Sequence, residues 1–180
     1  TELNSQFVYR SWLDATGNLG AVHDGLLDWF TQHATKIEAG SVYQRWLDAK
    51  GDPELVRGFI AQWLKQHETT LEAEFIYNSW LNAGQPFDTI RYNCEAWLKK
   101  HWRSENAVFI TKILSSRHDL SFDSIGLIVA WAGHHAQNED AIFRLSRISR
   151  SFAAHRLNSG FIKMVTRATD VIFENLLTRE

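Results

Sequence analysis

Residues 75–84 read Phe75-Ile76-Tyr77-Asn78-Ser79-Trp80-Leu81-Asn82-Ala83-Gly84. Thirty-four positions earlier the chain reads Ser41-Val42-Tyr43-Gln44-Arg45-Trp46-Leu47-Asp48-Ala49-Lys50, and 34 before that Phe7-Val8-Tyr9-Arg10-Ser11-Trp12-Leu13-Asp14-Ala15-Thr16. One apolar-aromatic-x-x-Trp-Leu pattern is written three times. Midway between its copies fall Trp29, Trp63 and Trp97, so Trp12, Trp29, Trp46, Trp63, Trp80 and Trp97 form a ladder with a step of 17. The ladder runs on through Leu114, Trp131, Ile148 and Val165, and His33, His67, His101 and His135 share another column. A fixed period of this length marks a repeat array. The repeats run approximately 1–34, 35–68, 69–102, 103–136 and 137–180, a single helical-repeat domain with the last unit as a C-terminal cap.

Each repeat carries two helical patterns. Val42, Tyr43, Trp46 and Leu47 share one helix face; Val56, Phe59, Ile60, Trp63, Leu64 and His67 share another. Thr35-x-x-Glu38 and Thr69-x-x-Glu72 read as capping boxes that start the first helix of a pair. Gly51-Asp52-Pro53 stops that helix and starts the next, with Asp52 as N-cap and Pro53 at the first helical position. In the third repeat, Gly84-Gln85-Pro86 carries its glycine one position early and predicts a turn of different shape. No window alternates with period two. The fold expected is all-α, an α-solenoid of about five helix-turn-helix repeats with about ten helices and no strands. Single pairs cannot bury both apolar faces, whereas stacked pairs can.

In that arrangement Trp12, Trp29, Trp46, Trp63, Trp80, Trp97 and Trp131 are structural core that fills helix seams. The competing use of a Trp array, a stacking platform for bases or sugars, calls for residues that vary between repeats. The first repeat carries Phe7, Val8, Tyr9, Trp12 and Trp29 like an internal one and lacks a polar outer face. This predicts a piece of a longer multidomain protein, with an apolar strip on the first helix able to support weak self-association.

Composition sets further bounds. An apolar fraction of 44% with 22% charged residues excludes a disordered chain. A lone cysteine, Cys94, excludes a disulfide scaffold and suits a reducing, cytoplasmic setting. No run approaches the ~18 apolar residues of a membrane span. Residues 1–90 hold 6 Lys+Arg against 12 Asp+Glu, whereas residues 91–180 hold 13 against 9. Opposed halves lack the dominant basic field of a general nucleic-acid binder, yet leave room for one basic site near the C-terminal end.

The 34-residue unit of two antiparallel helices resembles the tetratricopeptide class, with Trp46-Leu47-Asp48-Ala49 in place of that consensus's Leu-Gly pair. The stretch from Phe75 to Gly84, followed by Trp97-Leu98-Lys99-Lys100-His101, is similar to Trp-Leu helical repeats of bacterial proteins. Such arrays accompany NACHT/STAND-type signalling ATPases or other effector modules. The resemblance implies a sensor or assembly scaffold in a signalling or defence protein.

The familiar catalytic motifs do not occur in the chain. There is no phosphate-binding glycine loop, no His-Glu-x-x-His and no Gly-x-Ser-x-Gly. The expectation is a non-enzyme without metal or cofactor. Equivalent histidines on stacked helices lie ~8–10 Å apart, too far to share a metal. They are expected instead to cover carbonyls in the last turn of each second helix.

Ligand-reading residues are sought in polar columns of the first helices: Arg10, Gln44, Asn78 and Lys112 in one, Ser11, Arg45 and Ser79 in the next. Arg144, Arg147 and Arg150 form a stripe at a spacing of three. It suits carboxylates or phosphates, or pairs internally with Glu139 and Asp140. The function expected is a protein- or peptide-binding scaffold; the alternative is a nucleic-acid-binding repeat that uses the Arg stripe.

Overall fold

A computed structural model of the chain describes residues 2–115, 121–135 and Ala141. Among these residues there are eight α-helices and no strand: α1 (Ser5–Thr16), α2 (His23–His33), α3 (Ala39–Asp48), α4 (Pro53–His67), α5 (Ala73–Asn82), α6 (Arg91–His101), α7 (Ala107–Ser115) and α8 (Phe122–His134). The protein is all-α. The expected fifth repeat lies outside the described residues, apart from Ala141. The chain divides into two compact units, Thr1–Trp97 and Leu98–Glu180. No helix among the described residues is long and apolar enough to cross a membrane.

Within the first unit α3 packs between α1 and α5, while α4 packs on α2, α3 and α5. The ladder explains why. Trp29, Trp46, Trp63 and Trp97 are fully buried and Trp80 nearly so, together with Tyr43, Tyr77, Val42 and Ile76. Trp131 is buried in the second unit, where α7 packs on α8. Trp12 departs from the expected core position. It is 40% exposed; among the described residues the first helix of a pair that packs on α1 is α3, on one side.

Buried indoles and phenols need acceptors for their N–H and O–H groups. The repeat provides them at fixed offsets. The second-helix Trp29, Trp63 and Trp97 donate to the carbonyls of Glu2, Lys36 and Thr70, each 27 residues back, at 3.2, 2.8 and 2.6 Å. Tyr43 and Tyr77 donate to Ala34 and Glu68, each nine back. Trp12 and Trp46 donate six forward, to the carbonyls of Asn18 and Asp52. The series fades in the second unit: the Trp131 indole N–H is buried without a partner.

The helix ends correct one expectation. Neither Thr35 nor Thr69 starts a helix. The chain makes isolated turns after α2 and α4, and α3 and α5 begin four residues later with Glu38 and Glu72 at the N-cap and no side-chain capping bond. The glycine offset leaves the end of the first helix unchanged, and the turn of different shape expected in the third repeat follows it. Lys50 N–H donates to Leu47 and Gly51 N–H to Trp46; Gly84 and Gln85 repeat this toward Leu81 and Trp80. The left-handed position is therefore Lys50, φ 60°, in one repeat and Gly84, φ 76°, in the next.

The second and third repeats diverge only after that point, whereas in the first α1 runs on to Thr16 and the left-handed residue is Gly17, φ 62°. Asp52 accepts from Glu54 N–H and Pro53 starts α4 at once, as the sequence indicates. The first and third repeats instead insert short 3-10 turns, Leu19–Ala21 and Phe87–Thr89. Pro86 shifts the third loop, and the Thr89 hydroxyl fills the gap. It accepts from the Trp80 indole at 2.8 Å and donates to the Pro86 carbonyl at 2.6 Å.

Candidate functional site

The histidine column is structural, although not as expected. His67 Nε2 meets the carbonyl of Thr35 at 2.8 Å, and His135 Nε2 that of Arg103 at 3.1 Å, both 32 residues back. A carbonyl only accepts, so each ring carries its proton on Nε2. These bonds hold the turn before the first helix rather than the last carbonyls of the histidine's own helix. Each ring also lies against the Trp four residues earlier, with centroids 4.9 Å apart for Trp63–His67 and 5.5 Å for Trp131–His135. The Trp-x-x-x-His pair thus grips the loop that opens its own repeat. Among the described residues no three His, Cys, Asp or Glu side chains come together as a metal site. Cys94 is buried. His118, which the sequence could bring to His134 across a turn, lies outside the described residues.

The two polar columns of the first helices separate in the structure. Arg45 is ion-paired with Asp14, and Ser79 is buried and donates to Asp48 Oδ1 at 2.7 Å. Both partners stand 31 residues back, so one tie joins α3 to α1 and its equivalent joins α5 to α3. Arg45 and Ser79 of this column therefore link neighbouring helices. Ser79 is committed inside the fold, Ser11 is exposed, and Arg45, although paired with Asp14, also lines the groove of the other column.

The other column opens onto a groove. Arg10 and Gln44 line a cavity of about 570 Å³ on the face formed by α1, α3 and α5. Its floor is small because Gly40 and Ser41 occupy it. Gly40 is obligatory there, since a Cβ would stand 2.7 Å from the ring of Trp63. Its walls are aromatic. Phe7 and Phe75, expected in part as packing residues, are 59% and 48% exposed and flank that floor; Ile37, also exposed, lines the same groove. Glu38 and Glu72 bound the groove at the N-terminal edges of α3 and α5.

Asn78 is exposed on α5 outside the groove lining, and Lys112 is exposed on α7 in the second unit. Arg144, Arg147 and Arg150, with Glu139 and Asp140, lie outside the described residues.

Two carboxyl-bearing features escaped the reading of the sequence. Glu38 and Glu72 were assigned to caps and instead border the groove. Glu74, in the same column as Gly40, is buried with Oε2 unbonded, and burial pushes its carboxyl up to about 7. The column Phe7, Ser41, Phe75, Phe109 held the available signal: an aromatic position outside the buried pattern, interrupted once by a small residue. No protein-family model, curated protein or solved structure matches the chain.

Proposed function

We propose that the chain is a protein- or peptide-binding helical repeat, built as a solenoid of tetratricopeptide-like pairs. It is similar in kind to the Trp-Leu arrays that serve as sensor or assembly regions of bacterial signalling and defence proteins. Support for the stacked arrangement comes from bonds that recur at identical offsets in successive repeats. Recurring bonds of this kind are what a stack of similar pairs calls for, with outward side chains left to differ.

The groove on those three helices carries the functional reading. It is concave, walled by exposed Phe7 and Phe75, and lined by a few polar groups, the usual make-up of a site for a short segment. Binding proceeds by surface complementarity, with no bond made or broken.

Selection of peptides displayed on phage against the purified chain tests this. Selected peptides should lose at least tenfold in affinity toward Phe75→Glu and keep it toward Tyr92→Ser, an exposed position on α6 outside the groove. Binders indifferent to Phe75, or an oligonucleotide that binds more tightly with a steep salt dependence, would overturn the reading.

A further inference from the structure

The groove is electrically lopsided, and its two ends differ in sign. At one end stands Arg10. It makes no ion pair among the described residues, and its Nε is enclosed without a hydrogen-bond partner. The neighbouring cation, Arg45, is neutralised by Asp14. A guanidinium with an enclosed, unsatisfied N–H favours a carboxylate that can take two of its donors. Gln44 lies in the same column and adds an amide to that end.

At the other end stand Glu38 and Glu72, neither ion-paired among the described residues. Each sits at the N-cap of its helix, where the helix dipole offsets only about half a charge. That end remains net negative. Six residues separate the Glu38 level from the Gln44 level on α3, a rise of ~9 Å at ~1.5 Å per residue. Between the two ends lie the small floor of Gly40 and Ser41 and the aromatic walls of Phe7 and Phe75.

We infer that this groove takes an extended peptide segment in which an apolar side chain lies between one basic and one acidic side chain. The inference rests on the peptide-binding reading and specifies its ligand. An extended chain advances ~3.3 Å per residue, so ~9 Å corresponds to charges about three residues apart. A polyanion meets Glu38 and Glu72; a wholly basic segment meets Arg10. Only a segment of mixed sign satisfies both ends, and the aromatic walls select an apolar residue between them.

Three fluorescein-labelled tetrapeptides test it by anisotropy: Lys-Phe-Ala-Glu, Lys-Phe-Ala-Lys and Glu-Phe-Ala-Glu. The first should bind the full chain at least tenfold more tightly than either of the others. Arg10→Glu should transfer the preference to Lys-Phe-Ala-Lys, and Glu72→Lys, at an exposed position, to Glu-Phe-Ala-Glu. A thermal melt confirms that each variant is folded. Equal binding of the three peptides, a preference that ignores both substitutions, or no binding of any of them overturns the inference. In those cases the display selection still decides separately whether the groove binds peptides at all.

Discussion

The αL position at the end of α3 is held by a lysine, and this sets up a clean contrast between adjacent residues. Lys50 has φ 60°, where a side chain with a Cβ is strained by roughly 1 kcal/mol. Lys50→Gly should stabilise the chain by up to about 1 kcal/mol, less the extra freedom glycine gives the unfolded state. One residue on, the opposite holds. A Cβ on Gly51 would stand 2.5 Å from the indole of Trp46, so Gly51→Ala should destabilise by about 2 kcal/mol or more. Denaturant midpoints of the two variants check both signs.

Glu74 gives a pH signature. Its folded carboxyl, raised by burial to about 7 from an ordinary value of 4.5, keeps its proton where the unfolded chain has released it. Below about 4.5 both states are protonated and the site costs nothing. As pH rises from there to about 7, stability falls by roughly 1–3 kcal/mol, and the loss persists above. Glu74→Gln should remove that decline, so the difference between the two chains should be small at pH 4 and favour the variant at pH 8. Equal melting profiles at both pH values would contradict it.

At the scale of the element, the paired Trp-x-x-x-His grip predicts graded losses. Trp63→Ala empties a fully buried site and should cost about 3–5 kcal/mol. Trp63→Phe retains most of the apolar volume but leaves the Lys36 carbonyl without its donor, and should cost about 1–3 kcal/mol. The same Ala change at Trp12, which is partly exposed, should cost markedly less. Equal losses at Trp12 and Trp63 would mean that α1 is covered as fully as α3.

These contrasts show what was legible. Helical periodicity and the 17-residue ladder pointed to the all-α class and to the Asp52-Pro53 helix start, because burial and capping act over a few residues. The starts of α3 and α5 were misplaced. The Thr-x-x-Glu spacing satisfies the local rule, but His67 and Trp63 hold the Thr35 and Lys36 carbonyls in a turn, and that competition acts across about 30 residues. The groove was half visible. Arg10 and Gln44 stood out as a variable column, whereas the walls were hidden, since a phenylalanine in a sequence reads as core. Arg45 and Ser79 looked free for the same reason: their partners, Asp14 and Asp48, lie one repeat away.

At the scale of the whole molecule, the described residues set α1 apart from the helices that repeat it. Val8 is 67% exposed, while its equivalents Val42 and Ile76 are fully buried; Trp12 is exposed where Trp46 and Trp80 are not. In α3 and α5 that surface sits in a repeated helix–helix packing, so on α1 the same residues offer a preformed and unfilled seam. Covering ~400 Å² of apolar surface there gives on the order of 10 kcal/mol gross at ~25 cal/mol per Å². Lost translational and rotational freedom takes back much of it, so the expected association is weak and concentration-dependent. Sedimentation at increasing concentration should show a rising average mass. Val8→Glu places a charge in the seam without disturbing a buried contact, and should return the chain to a monomer while its melting temperature stays nearly unchanged. A wild-type chain that stays monomeric at millimolar concentration would show that the exposed strip of α1 is too small to drive association by itself.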